Sequence, residues 1–138
     1  MKSKIAISAD KQSVKPAEAA ALYVEMGWGT PARYSAARMK RSLAQCDIVV
    51  SARNDAGELI GLARALSDFA LDTKILDMVV VPEYQRQGVG RAMMKAVAAR
   101  AGGTALYGET ERKNFRFMES CGFKRRNGLA VFVKKSIK

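Results

Sequence analysis

Two closely spaced glycines follow a strongly apolar segment near the middle of the chain. Segment 75–81 is almost entirely apolar, and a helical pattern starts inside the glycine-containing loop that comes after it. Backbone N–H groups at a helix start carry the positive end of the helix dipole, and glycine lets a ligand approach the backbone closely. This arrangement predicts a phosphate-binding loop with arginine countercharges. Its residues are Gln85, Arg86, Gln87, Gly88, Val89, Gly90 and Arg91.

Two better-known phosphate-binding motifs do not match this loop. In the dinucleotide-binding fingerprint a third glycine follows, whereas here Gly90 is followed by Arg91, Ala92 and Met93. In a P-loop the second glycine precedes Lys and then Ser or Thr, and these are absent as well.

The composition excludes several classes of chemistry. The chain contains no histidine, which removes Ser-His-Asp and Cys-His nucleophile systems and the common histidine-containing zinc sites. Cys46 and Cys121 are the only cysteines, and we interpret both as free thiols. With 138 residues, of which 49% are hydrophobic, the chain is predicted to form a single domain, 1–138. No metal site is predicted.

The net charge of +11 raises the question of nucleic-acid binding. Residues 102–138 alone contain nine basic and three acidic residues. Aromatic residues make up only 7% of the chain, and basic and aromatic residues are not interleaved. Nucleic acid is therefore an unlikely partner, and a small phosphorylated ligand is the better explanation of the loop.

Hydrophobic periodicity and turn residues predict the strands and helices that position this loop. Their order indicates an α+β domain with a mostly antiparallel central sheet and about four flanking helices. The predicted strands are 5–7, 48–52, 59–66, 74–81 and 104–108, with a final hairpin turning at Asn127 and Gly128. The predicted helices are 16–26, 35–45, 89–101 and 112–121.

Two motifs together resemble one enzyme superfamily. Gln85-x-x-Gly88-x-Gly90 after a strand ending in Pro-Glu-Tyr resembles the acetyl-coenzyme A (acetyl-CoA) loop of the GCN5-related N-acetyltransferase (GNAT) superfamily. Segment 114–123, Asn-Phe-Arg-Phe-Met-Glu-Ser-Cys-Gly-Phe, resembles that family's second signature. The element order is similar over essentially the whole chain. Within the superfamily, segments 61–68 and 76–80 resemble the branch of plastid and cyanobacterial enzymes that act on arylalkylamines or protein lysines.

The resemblance implies a fold, a cosubstrate and a mechanism. The sheet is expected to splay at the acetyl-CoA loop, the pantetheine arm to lie along Val79, Val80 and Val81, and the pyrophosphate to bind residues 85–90. Coenzyme contacts are also expected from Asn114 and Phe117. An amine would attack the thioester directly, without a covalent enzyme intermediate and without a metal.

The sequence does not decide which residue acts as the general base. Asp77 is the best-placed candidate because it lies in the strand beside the loop. Glu109 and Glu111 are its rivals, and a purely structural, hydrogen-bonded carboxylate is an equally weighted interpretation of Asp77.

Met118 departs from the family pattern. The usual residue there is a tyrosine that protonates the departing thiolate, and methionine cannot donate a proton. Tyr107 or Tyr84 are possible substitutes, with Tyr84 better explained by packing beside the loop. The alternative to an active enzyme is therefore a catalytically weakened CoA-binding sensor or partner-binding module.

The remaining expectations concern the amine-binding site, the cellular location and the oligomeric state. By resemblance, the amine site is built from loop 27–34, including Trp28, and from the hairpin at 125–128. Asp68 and Asp72 could attract a cationic amine. No apolar run is long enough to span a membrane, and the chain start lacks a leader-like apolar core, which predicts a cytoplasmic protein. A monomer or a homodimer is expected.

Overall fold

Five strands form one sheet in chain order in the computed structural model, which describes residues 4–135. Strands β1 to β4 pair antiparallel, and β5 pairs parallel with β4. This confirms the predicted mixed α+β fold with a mostly antiparallel sheet. The strands are β1 (Ala6–Ser8), β2 (Ile48–Arg53), β3 (Leu59–Ser67), β4 (Asp72–Val80) and β5 (Ala105–Gly108). The helices are α1 (Pro16–Glu25), α2 (Ala36–Gln45), α3 (Val89–Ala101) and α4 (Phe115–Ser120).

The helices cover the two faces of the sheet. On one face α3 buries Met93 and Val97 against β2, β3 and β4. On the other face α1 and α2 bury Tyr23 and Leu43 against the opposite side chains of the same strands. Because both faces are covered, the central strands are apolar on both sides.

Local signals in the sequence fix the helix ends. The hydroxyl of Ser35 accepts a hydrogen bond from the Arg38 N–H at 3.2 Å and caps α2. Gly102, with φ of 65°, ends α3 in the left-handed conformation that favours glycine. Among residues 4–135, no helix combines the length and apolar character needed to cross a membrane.

Strand β4 contains one residue more than its partner can match. Asp77 pairs with Arg64 and Ile75 pairs with Ala65, so Leu76 is an extra residue with no partner on β3. This β-bulge reverses the alternation of side chains along β4. Ile75 and Met78 consequently face α3, whereas Asp77 faces α1 and α2.

The C-terminal part differs from the sequence prediction in two ways. Residues 112–114 form a 3₁₀ turn, so α4 begins only at Phe115. The predicted final hairpin forms only its turn, in which the Leu129 N–H donates to the Arg126 carbonyl at 3.3 Å. Neither arm of that hairpin is a strand in the described residues. An isolated two-stranded hairpin is marginally stable, and one arm here begins with three consecutive cationic residues.

Candidate functional site

A cleft opens where β4 and β5 part. Ile75 and Gly108 form the last pair between these parallel strands, and β4 then continues alone to Val80. The opening begins next to the β-bulge at Leu76, whose side chain is 41% exposed. The predicted splay of the sheet is therefore present, and it lies at the end of β4 that leads into the glycine loop.

The backbone of β4 presents alternate residues to this cleft. The Val81 N–H donates to the Ile60 carbonyl at 2.9 Å, so Val81 faces β3. By the alternation of an antiparallel ladder, Val79 also faces β3, and the backbone groups of Met78 and Val80 face the cleft. Of the three valines expected to pair with a ligand, only Val80 has the right backbone orientation. Met78, which the sequence did not single out, joins it, because an almost continuous apolar run does not reveal which residues face the cleft.

The loop between β4 and α3 has two residues with left-handed backbone conformations. Arg86 has a φ of 61°, which is strained for a residue with a side chain and is typical of functional sites, whereas Gly88 has a φ of 85°, which glycine adopts readily. The first intrahelical hydrogen bond runs from the Ala92 N–H to the Gly88 carbonyl, so the three preceding N–H groups have no partner within the helix. These are the N–H groups of Val89, Gly90 and Arg91.

The backbone at Gly88 is open to an approaching ligand. A Cβ atom built at position 88 would meet no heavy atom within 4 Å. Arg86 and Arg91 lie two residues before and three residues after Gly88 in the sequence. Both side chains are exposed. The exposed Gln87 and Gln85 fold back onto the loop, donating to the carbonyls of Glu83 at 3.0 Å and Val80 at 2.8 Å.

At Gly90 the lack of a side chain matters for packing within the protein. A Cβ atom there would lie 3.1 Å from two ring atoms of Phe117. This glycine therefore admits the ring of α4 against the start of α3, which is a packing role that the sequence did not indicate. Phe117 is half-buried in this contact, and Asn114 is exposed just before α4 with no capping hydrogen bond from its side chain.

Asp77 lies in a network of polar side chains on the α1 and α2 side of the sheet. It forms an ion pair with Arg64, its cross-strand partner, and accepts a hydrogen bond from the Tyr23 hydroxyl at 2.7 Å. Arg64 also donates to the hydroxyls of Ser42 at 2.6 Å and Tyr23 at 3.0 Å. This geometry matches the structural interpretation of Asp77, since both of its oxygens accept hydrogen bonds inside the protein.

The protonation of this network follows from burial and charge. Burial and the neighbouring Asp77 carboxylate raise the pKa of Tyr23, so its hydroxyl keeps its proton and acts as the donor. Burial opposes the charge of Arg64, but its bonds to Asp77 prevail and raise its pKa. The Asp77 side chain is 11% exposed and the Arg64 side chain 15%, so the pair is largely shielded from water.

Met118 lies at the position where a proton donor was expected. Its terminal methyl would be 3.5 Å from a Cβ atom at Gly108, above the last β4–β5 pair. Tyr107 is paired with Lys74 and therefore lies on the opposite face of the sheet from Ile75 and Met118. Tyr84 packs against the core, and its hydroxyl accepts from the Asn54 amide at 3.0 Å. Neither tyrosine occupies the place of Met118.

The two rival carboxylates follow β5 at the mouth of the cleft. Glu109 forms an ion pair with Lys74 at 2.8 Å, and its side chain is 55% exposed. Glu111 is 3.7 Å from Lys113 and is 78% exposed. Both are open to solvent, in contrast to Asp77.

Loop 27–34 is tied to the Asp77 network by aromatic contacts. The ring of Tyr23 stacks on Tyr34 at 4.7 Å between centroids and lies 5.6 Å from Trp28, which is 42% exposed. Asp68, by contrast, accepts three backbone N–H groups in the β3–β4 turn, and these bonds lower its pKa. That turn is at the end of β4 away from the cleft.

Comparison with known proteins identifies the class that this fold and cleft define. Residues 45–125 match the family model described as "Acetyltransferase (GNAT) domain". The chain belongs to the GNAT acetyltransferase family. GCN5-related N-acetyltransferase 3, chloroplastic, from Arabidopsis thaliana is 33% identical over 73 residues, which are 49% of this chain and 30% of that protein. The chain thus spans less than a third of the length of that curated relative.

Solved structures confirm the fold. A GNAT-family acetyltransferase from Streptococcus pneumoniae superposes with a TM-score of 0.80 at 24% identity, covering 98% of this chain and 100% of that one. An aminoglycoside N-acetyltransferase, AAC(6')-Iy, solved in complex with CoA, has a TM-score of 0.75 at 19% identity and covers 98% and 97% of the two chains.

Proposed function

We propose that this protein transfers an acetyl group from acetyl-CoA to a primary amine by direct attack of the amine on the thioester. The observation that carries the proposal is the cleft between β4 and β5, which opens directly beside the unpartnered N–H groups at the start of α3. A helix N-terminus with arginines nearby favours a ligand that carries phosphate.

The chain's own residues have separate tasks in this proposal. The N–H groups of Val89, Gly90 and Arg91, with the side chains of Arg86 and Arg91, bind the pyrophosphate. The outward backbone of Met78 and Val80 aligns the pantetheine arm as a neighbouring strand would. Asn114 adds a contact from the start of α4. Acetyl-CoA itself supplies the activated acetyl group.

The amine must lose a proton before it attacks. An alkylamine with a pKa of about 10 is mostly protonated at neutral pH. Forming the neutral, nucleophilic amine therefore costs roughly 3–4 kcal/mol. Asp77 was the leading base, but its oxygens are held by Arg64 and Tyr23. Glu109 is therefore the carboxylate we now favour for this role, because it is exposed and directly follows β5 at the mouth of the cleft.

The experiment measures CoA binding by calorimetry and acetyl-CoA turnover by thiol release, across arylalkylamines, aminoglycosides, polyamines and lysine peptides. Gly88→Trp should abolish CoA binding because the indole would fill the phosphate space. Gly102→Trp is the matched control, since Gly102 also has positive φ and open space but lies at the other end of α3. Equal binding by both variants and the unmodified protein would refute the site.

The second candidate function is a CoA-binding sensor with little or no catalysis. The observation that favours it is Met118, a side chain that cannot donate a proton at the place where β4 and β5 part. Tight CoA binding with no turnover on any amine in the panel would support the sensor. Turnover with any one class would establish the enzyme and name its acceptor.

The proposal also extends to the acceptor's route, the class of acceptor and the cellular location. The acceptor would approach past Trp28, which is exposed beside the Asp77 network. A small amine or a lysine side chain is the partner, and nucleic acid is not required to explain any feature of the cleft. The cytoplasmic location predicted from the chain start remains a prediction, and residues 1–3 lie outside the described part of the chain.

A further inference from the structure

Gly108 leaves room for a methyl group between two apolar side chains, at the point where β4 and β5 part. Gly108 and Ile75 are the last residues that these two strands pair. Apart from the chain neighbours of Gly108, the nearest atom to a Cβ built there would be the terminal methyl of Met118, at 3.5 Å. The Cβ and Cδ1 atoms of Ile75 would follow at 3.7 and 3.9 Å. These are ordinary contact distances, so a methyl group fits without displacing either side chain.

The side chains around this space are apolar. Ile75 is only 6% exposed, and Met118 is half-buried where it packs against the core that α3 forms with the sheet. Leu106, two residues before Gly108 and therefore on the same face of β5, packs against the same core. Such a lining favours a hydrocarbon group, because a polar group would lose its hydrogen bonds to water without gaining a partner.

The proposed path of the coenzyme ends at this space. The helix start that would bind the pyrophosphate follows one end of the free part of β4, and the pair of Ile75 with Gly108 closes the other end. An arm that follows the backbone of Val80 and then Met78 away from the loop therefore brings its thioester end to Gly108. This step rests on the proposed function, which places the pyrophosphate at the glycine loop.

We propose that Gly108, Met118 and Ile75 form the subsite for the methyl group of the acetyl donor, and that they make the protein selective for the shortest acyl chain. Gly108 provides the space, since any side chain at this position of β5 would occupy it. Met118 bounds the space on the side of α4, and Ile75 bounds it on the side of β4. The additional carbon of a propionyl group would press against Met118.

The first test compares kcat/KM for acetyl-, propionyl- and butyryl-CoA with one amine acceptor. The unmodified protein should favour acetyl-CoA over propionyl-CoA by about tenfold or more, which is the usual effect of one methylene in an apolar pocket. Met118→Ala removes one boundary of the space, and it should raise the ratio of propionyl-CoA to acetyl-CoA turnover by about tenfold or more. Equal kcat/KM for all three donors, or an unchanged ratio in Met118→Ala, would overturn the proposal.

The second test fills the space directly. Gly108→Ala should lower kcat/KM for acetyl-CoA by about tenfold or more, and it should leave the affinity for CoA unchanged because CoA carries no acyl group. Ala105→Ser is the matched control, since it adds one heavy atom to the same strand but on the opposite face of the sheet. It should change neither quantity. Full turnover of acetyl-CoA by Gly108→Ala would show that the methyl group binds elsewhere.

Calorimetry separates failure of this subsite from failure of the proposed acetyl transfer. If no donor gives turnover with any amine, the transfer is refuted, and the affinities of acetyl-CoA and propionyl-CoA then test the subsite alone. Acetyl-CoA should bind more tightly than propionyl-CoA to the unmodified protein, and Gly108→Ala should remove this preference. Equal affinities in the unmodified protein would overturn the subsite, and no binding of either donor or of CoA would overturn both proposals.

Discussion

Asp77 and Arg64 face each other across β4 and β3 and form a largely buried ion pair directly beside the bulge that opens the cleft. The Tyr23 hydroxyl joins the pair from α1, and the Ser42 hydroxyl joins it from α2. Two strands of the sheet and the two helices on one of its faces are therefore held together next to the residue where β4 changes its alternation. This position makes the pair a support for the cleft, and it can be tested separately from catalysis.

Asp77→Asn should lower the free energy of unfolding by about 2–3 kcal/mol, because it leaves the Arg64 charge buried without a counter-charge. Urea unfolding measures this effect. The double variant Arg64→Met/Asp77→Asn should be less destabilised than the sum of the two single variants, since no uncompensated charge remains. If Asp77→Asn unfolds like the unmodified protein but loses turnover at least tenfold with CoA affinity unchanged, Asp77 acts in the chemistry as first predicted.

Gly90→Ala should destabilise the protein by about 1–3 kcal/mol, although alanine favours helices, because its methyl group would press on the Phe117 ring. Adding Phe117→Leu should recover part of the loss by making room. The measurement is urea unfolding of the single and double variants. Gly88→Ala serves as the control, since it should cost only about 1 kcal/mol of left-handed backbone strain in open space. Equal stability of Gly90→Ala and the unmodified protein would contradict the contact.

Met118→Tyr should raise turnover about tenfold or more, if loss of the thiolate limits the rate, because the phenol supplies a proton above the end of the β4–β5 ladder. Met118→Phe is the matched control that adds the ring without the hydroxyl. Thiol release at saturating acetyl-CoA distinguishes the two. Equal rates for both variants would show that leaving-group protonation is not limiting.

The stability contributed by Glu18 should disappear in acid. The hydrogen bonds from Arg53 lower the pKa of Glu18 below its ordinary value of 4.5. Its contribution is thus fully present above about pH 4.5 and is lost as the pH falls through the folded-state pKa. Glu18→Gln should cost about 1 kcal/mol at pH 7, because the pair is partly exposed, and progressively less at a second, acidic pH below 4.5.

Urea unfolding of Glu18→Gln at both pH values measures the difference. Glu25→Gln provides a control on the same helix, since Glu25 has no ion pair among the described residues. A cost for Glu18→Gln that is independent of pH would mean that the charge of Glu18 does not contribute.

Much of the fold was predictable because its signals are local. Helix α3 has the predicted bounds of residues 89–101, and Ser35 caps α2 as expected. The glycine loop also lies where its sequence placed it. These features depend on a capping residue, glycines and periodicity within a few positions of each other.

The rest depends on contacts between distant residues. The bulge at Leu76 lies in an almost continuous apolar run, where no alternation reveals a change of phase. The pairing of Asp77 with Arg64 requires the register of two strands, and the need for glycine at position 90 comes from a ring 27 residues later. The alternating residues after Gly128 predicted a strand, and this was wrong for the described residues, in which no neighbouring strand pairs with the segment.

The single unmatched residue in β4 directly follows the last residue that pairs with β5. From Ile75, the last residue paired with β5, to Val80, the free part of β4 is five residues long, or about 16 Å at roughly 3.3 Å per residue. Moving the extra residue two positions toward Val80 would turn Asp77 to the face of the sheet that packs against α3, so the place of the bulge decides which side of the sheet carries this carboxylate.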